Sequence, residues 1–292
     1  MEQPMQRLSA EKILALWESG RPQHSLDRAL TILAAASPGA TRAALADLSI
    51  GERDARLLQL RAMVIGPRAE GFAECPRCQE RVEFPLDTAL EGRARSRPSD
   101  VSAPCEIETN GTTIRFRLPT SRDLAHVVTA PDSSQALRSL LERCILSPND
   151  ASSPDCHPEP RRRRGTSQTL SDHTKPDSDP IGPEARSLGA LRQPQDDKAR
   201  ELPDETIEAI SRAMLEADPQ AEIILQLTCP ACAHEWNLLF DIADFFWTEL
   251  SVQAQRLLRE IDTLARAYGW TEREILNLPA QRRQTYLELA AA

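Results

Sequence analysis

Aromatic residues are scarce in this chain of 292 residues: Phe, Trp and Tyr together make up 4% of it. Any core must therefore be built mainly from Leu, Ala, Ile and Val. Positive charge is also in deficit. Lys and Arg total 35 against 44 Asp and Glu, which leaves a formal net charge of −9 and a pI near 5.2. A general DNA or RNA binder needs a basic face to displace counterions, and attraction to anionic membranes needs the same, so both classes are disfavoured. No apolar run approaches the ~20 residues of a membrane span. The opening stretch MEQPMQRLSAEKILALWESG has no apolar signal-peptide centre. The expectation is a soluble, cytoplasmic protein. Catalytic signatures are missing too: there is no phosphate-binding loop, no GxSxG, no HExxH and no His placed by sequence beside a nucleophile. The chain is not expected to be an enzyme.

Cysteine, by contrast, is patterned. Seven cysteines, an odd number in a chain this long, do not read as a disulfide framework. Four of them form two matching pairs, Cys75-Pro76-Arg77-Cys78 and Cys229-Pro230-Ala231-Cys232, with Cys229 lying 151 positions after Cys78. In each unit a strand is expected to enter, the Cys-Pro-x-Cys segment to turn, and a strand to leave. An Asp closes each unit at the same distance, Asp87 and Asp241, and each is expected to cap the element that follows. Four thiolates are the ligand set of a closed, tetrahedral structural zinc site, and each knuckle supplies two of them from one tight turn. Shared by Cys75, Cys78, Cys229 and Cys232, a Zn²⁺ ion would tie the front of the chain to its back. Many such knuckles carry Gly after the second Cys, where positive φ is needed; here Gln79 and Ala233 stand there, which implies some strain.

The competing readings are two reduced pairs without metal, a redox CxxC, which ordinarily opens a helix, and a catalytic zinc, which needs an open position that four cysteines do not leave. His234 is expected beside the site or exposed rather than as a ligand. Cys144 reads as a core residue on an apolar helix face and Cys105 as a strand residue. Cys156-His157 lacks partners, and Arg161 to Arg164 read as a solvated linker run.

The fold class expected is α+β: an N-terminal helical bundle, a split zinc ribbon with short antiparallel strands, and C-terminal helices. In residues 1–66, Ser9 caps a helix with Ile13, Leu14 and Trp17 at helical spacing, Ser25 opens a second, and Thr41 caps a short third. Ser49 to Glu52 fits a capping box, with Glu52 reaching back to the cap. Residues 67–147 hold the first knuckle, a hairpin and helices. In the hairpin, Cys105 to Thr109 and Thr112 to Phe116 flank Asn110-Gly111, the favoured two-residue turn. Thr120 or Ser121 caps the helix after it. Residues 148–200 are rich in Pro, Ser, Asp and Arg and nearly devoid of large apolar residues, so they read as a disordered insertion. Residues 201–241 supply a helix and the second knuckle. Residues 242–292 are helical, with a long helix from Ile242 to Tyr268 ended by Gly269, a short one capped by Thr271, and a last one from Pro279. Consecutive Phe245-Phe246-Trp247 cannot share one helix face; one face is expected against the ribbon and another toward a partner.

Taken together, several stretches carry a resemblance: SerIleGlyGluArgAsp (49–54), PheAlaGluCysProArgCys (72–78), ArgPheArgLeuProThr (115–120), LeuThrCysProAlaCysAlaHisGluTrp (227–236), PheAspIleAlaAspPhePheTrpThrGlu (240–249) and LeuAlaArgAlaTyrGlyTrpThrGluArgGluIleLeu (264–276). In this order they resemble the T4-type baseplate protein family, baseplate hub assembly chaperones of contractile-tailed phages and of phage-tail-like contractile injection systems. The resemblance covers most of the chain except 148–200. It implies a non-enzymatic assembly chaperone or structural component of a baseplate hub, with hub or spike proteins as partners and no membrane. It also implies zinc ligation at the four paired cysteines only, and a place either in the bacterial cytoplasm or in the phage-tail-like particle. A zinc-ribbon adaptor in transcription or nucleic-acid processing is the alternative, but it would want a basic ribbon face, and 81–87 and 233–241 are not basic. An injected hydrolase is the third reading and lacks a catalytic constellation.

Overall fold

A computed structural model describes residues 4–87, 104–109, 111–146 and 202–291. The 148–200 stretch, with Cys156, His157 and Arg161 to Arg164, lies outside the described residues, as does Asn110. The described part is α+β, with helices and three separate two-stranded antiparallel ribbons.

Four helices open the chain: α1 (Ala10–Gly20), α2 (Ser25–Ala36), α3 (Arg42–Ala46) and α4 (Ile50–Val64). Their starts are chemically marked. Ser9 Oγ accepts from the Lys12 N–H at 3.2 Å, and Thr41 Oγ1 from the Ala44 N–H at 3.1 Å. Ser25 is the first residue of α2, but the cap is His24, whose Nδ1 accepts from the Leu26 N–H. Next come β1 (Arg68–Glu74) and β2 (Arg81–Asp87), then β3 (Cys105–Thr109) and β4 (Thr112–Phe116). The β3–β4 register pairs Thr109 with Thr112, and Gly111 has φ 71°, as the tight turn requires. Then follow α5 (Ser121–Val127), α6 (Ser133–Cys144), α7 (Asp204–Ala217), β5 (Ile223–Thr228) and β6 (Glu235–Phe240). The chain ends in α8 (Ile242–Tyr268), α9 (Glu272–Asn277) and α10 (Ala280–Ala291). Gly269 at φ 68° closes α8, and Thr271 with Glu274 forms a capping box on α9.

The main core joins the two ends of the chain. Leu33, Leu57, Leu58 and Leu60 from α2 and α4 meet Phe246, Leu250 and Ala254 from α8, all essentially without solvent exposure. Helix α8 thus lies on α1, α2 and α4. One face of its aromatic start meets the ribbon, as expected: Phe245 packs on Phe240 at 5.1 Å between ring centroids. Phe246 is the core residue. Trp247 packs against Gly20, where an added β-carbon would lie 2.5 Å from two atoms of the ring. Arg61 is 1% exposed and pins α4 to α8. It makes two bonds to the Glu249 carboxylate, at 2.8 and 2.6 Å, and one to the Arg68 carbonyl. The fork geometry of guanidinium on carboxylate is what makes such a buried charge tolerable.

The start of α4 differs from the expected capping box. Ser49 Oγ does accept from the Glu52 N–H at 3.2 Å, but the Glu52 carboxylate turns outward to Arg56. The first turn is completed from elsewhere. Asp218, just after α7, accepts the Gly51 N–H at 2.8 Å, and the Pro119 carbonyl accepts the Ile50 N–H at 3.1 Å. A carboxylate at a helix N-terminus also meets the positive end of the helix dipole. Glycine is required here, since a β-carbon on residue 51 would lie 1.8 Å from Asp218 Oδ1.

Candidate metal centre

The two knuckles have the same backbone wiring. In the first, the Cys75 N–H donates to the Glu80 carbonyl at 2.9 Å, and the Gln79 N–H donates to the Cys75 carbonyl at 2.8 Å. In the second, the Cys229 N–H donates to the His234 carbonyl and the Ala233 N–H to the Cys229 carbonyl, both at 2.9 Å. Each turn closes a ribbon at matching rungs, Glu74 with Arg81 and Thr228 with Glu235. The chain must pass through the left-handed region just after the second Cys of each pair, and it does: Gln79 has φ 62° and Ala233 φ 55°. The strain read from the missing glycines is present at both positions.

These turns bring the sulfurs together crosswise. Cys75 Sγ lies 3.7 Å from Cys232 Sγ, and Cys78 Sγ 3.6 Å from Cys229 Sγ. All four sulfurs lie within 4.8 Å of one another. Tetrahedral zinc with Zn–S bonds of ~2.3 Å separates its sulfurs by ~3.8 Å, so the donor set fits a single four-coordinate ion and leaves no open position. Cys75 and Cys229 are buried, with Val82 and Trp236 packed around them, while Cys78 reaches the surface. Burial pushes the Cys75 thiol up, but backbone N–H groups of Cys78 and Arg77 and the neighbouring sulfurs outweigh this and bring it down to about 7. For Cys78 a backbone N–H from Glu80 lowers the value, yet the surrounding sulfurs and burial carry it up to about 12. One thiol ionises readily and the next resists, because negative charge accumulates on crowded sulfurs. A divalent cation relieves that crowding.

The other candidates fall into place. The His234 ring is outside the sulfur cluster and stacks near Trp236, and its contribution to the knuckle is its carbonyl. Asp241 caps α8, its Oδ1 accepting from the Ala243 and Asp244 N–H groups. Asp87 is the last residue of β2, and whatever it caps lies outside the described residues. Cys144 is fully buried, and burial raises its thiol to about 11. Cys105 is half-buried in β3 opposite Phe116.

Two further buried carboxylates were not read from the sequence. Asp123, 1% exposed, holds Arg117 at 2.6 and 2.9 Å and Arg143 at 3.1 Å, and accepts the Thr120 N–H, which fixes β4 to α5 and α6. Burial works against its charge, but Arg117 and Thr120 keep it well below the usual carboxylate range. The Thr120-x-x-Asp123 spacing is a capping-box signal that was legible. The other group is Asp54, paired with Arg53 at 2.7 Å. Burial raises it to about 6 despite Arg53, helped by the nearby Asp241 and Asp218. Nothing local in the sequence marks it, since its burial depends on elements more than 150 positions away.

Fold and site together define an α+β protein whose distant halves are clasped by four thiols able to hold a metal ion. Comparison with protein families adds the lineage. A family model described as T4 bacteriophage base plate protein matches residues 7–152 and 194–247, well over half of the chain. The chain belongs to that family. The match passes through both knuckles, skips 153–193, and stops before the 264–276 stretch. No curated protein and no solved structure matches the chain. A base plate family implies a structural role in a phage tail and contacts with other base plate components, in keeping with the expected absence of catalysis. Among the described residues, no helix is long and apolar enough to cross a membrane.

Proposed function

We propose that this chain is a zinc-stapled assembly chaperone or structural component of the baseplate hub, in a contractile phage tail or a related contractile injection system. It acts without catalysis, and its partners are hub or spike proteins. The observation that carries this reading is the family match running through both knuckles, joined to the cluster of four sulfurs. Cys75, Cys78, Cys229 and Cys232 hold one structural Zn²⁺. When bound, the ion supplies cross-linking energy that couples metal binding to folding. Segments 1–66, 67–147, 201–241 and 242–292 then act as one clasped body, with 148–200 as an insertion between its halves. Assembly takes place in the bacterial cytoplasm, before or during incorporation into the particle.

The test is co-expression with the hub and spike proteins of the same tail gene cluster, followed by affinity purification. A stable complex, or soluble hub protein obtained only when this chain is present, is the expected result. Hub protein that folds, stays soluble and assembles equally well without it, with no complex formed, would refute the reading.

A further inference from the structure

A cavity of about 600 Å³ opens where the segment before α1, helix α8 and the α9–α10 turn meet. Its floor is apolar, with Leu8, Val64 and Leu257 buried there. Its charged lining is one-sided: three arginines, Arg7, Arg256 and Arg283, against a single carboxylate, Glu260. Arg283 is 8% exposed and donates from Nε to Glu260 Oε2 at 2.7 Å. Arg256 donates from Nε to the other oxygen, Oε1, at 2.9 Å. Arg7 donates to the Val64 carbonyl at 3.4 Å. One negative charge therefore stands against three positive ones, in a chain whose formal net charge is −9.

We propose that this cavity docks an acidic peptide segment of a partner protein, one in which an apolar side chain is flanked by carboxylates. Its volume lies in the range of ~300–1,000 Å³ typical of built ligand sites, which pair an apolar lining with a few placed polar groups. The apolar side chain enters over Leu257 and Val64 and displaces water from them. The flanking carboxylates meet Arg7 and Arg256 at the rim, where both guanidinium groups are exposed and lose little hydration on pairing. Arg283, already fixed by Glu260, keeps the floor positive. A basic segment is repelled at the same three positions. Such charge complementarity sets partner choice and encounter rate more than final affinity. The inference rests on the cavity alone and does not depend on the zinc site or on the baseplate reading.

The test is fluorescence anisotropy on the full-length protein with a labelled peptide of alternating glutamate and leucine, and a lysine–leucine peptide of equal length as control. The acidic peptide is expected to bind and the basic one not. The double substitution Arg7→Ala with Arg256→Ala removes rim charge at two exposed positions and is expected to weaken binding at least tenfold. Ala280→Trp fills the mouth without altering charge and is expected to weaken it as well. Raising the salt concentration should erode the affinity of the wild type far more than that of the double variant. The proposal is overturned if the acidic peptide fails to bind, if either variant binds like the wild type, or if free citrate competes as well as the peptide. The last outcome would assign the cavity to a small anion instead.

Discussion

The clearest physical debt in the molecule sits in the two knuckles, and glycine should relieve it. Gln79 and Ala233 hold φ values of 62° and 55°, in the left-handed region. A side chain in that region costs roughly 1–2 kcal/mol relative to glycine. Glycine gives some of this back by loosening the unfolded chain, roughly 0.5–1 kcal/mol. The net gain expected from Gln79→Gly or Ala233→Gly is thus about 0.5–1 kcal/mol each. Among the described residues, neither side chain makes a hydrogen bond or ion pair that the substitution would break. For a body of this size, ~1 kcal/mol moves Tm by about 2–4 °C. The assay is thermal denaturation followed by circular dichroism, on metal-loaded protein, for each single variant and the double. The control is Glu80→Gly one position further on, outside the left-handed region, which should lower Tm. The two sites lie on different knuckles, but they meet at one clasp, so the double variant also tests whether their effects add. A Tm that falls in both glycine variants, as it does in the control, would refute the reasoning about strain.

Other consequences follow from the remote contacts. Gly51→Ala would drive a β-carbon onto the Asp218 carboxylate and break a buried charge-assisted bond worth ~1.5–3 kcal/mol; urea denaturation should show a loss of about that size. Asp54→Asn should change the pH profile. The folded-state value of Asp54 is raised from 3.8 to about 6, so the folded protein holds this proton more tightly than the unfolded chain. Its stabilising contribution is full below pH ~4 and is lost as pH rises toward 6. The variant should therefore equal the wild type near pH 4 and exceed it by up to ~3 kcal/mol above pH 7, measured by urea melts across that range. Phe246→Ala, at the centre of the core shared by α2, α4 and α8, should cost ~3–5 kcal/mol, whereas Leu239→Ser, at a position 65% exposed, should change stability little.

The local signals in the sequence were strong and held. Ser9, Thr41, Ser49 and Thr271 cap helices, Gly269 ends the long one, and the left-handed step after each Cys-Pro-x-Cys falls where expected. Each of these depends on residues within about five positions of one another. The departures share a different cause. Glu52 loses the cap of α4 to Asp218, which is 167 positions away from Gly51. Arg61 is buried because Glu249, 188 positions on, is there to receive it. Which of Phe245, Phe246 and Trp247 enters the core was not readable, and it is Phe246, because α8 completes the N-terminal bundle. Periodicity shows that a helix has an apolar face, but not which distant face it meets. The split knuckles were the exception, because the repeated motif itself announced a long-range pairing. Asp123 was legible in principle through its spacing from Thr120, though its hold on Arg117 and Arg143 was not.

The central claim is one metal ion shared between the two knuckles. Elemental analysis of the purified protein, alongside Cys75→Ser and Cys229→Ser variants, tests it most directly. One zinc per chain in the wild type, lost in both variants and accompanied by a marked fall in Tm on chelation at neutral pH, is the expected result. A chain without zinc whose melting curve ignores the chelator would contradict it, as would zinc retained when either knuckle alone is disabled.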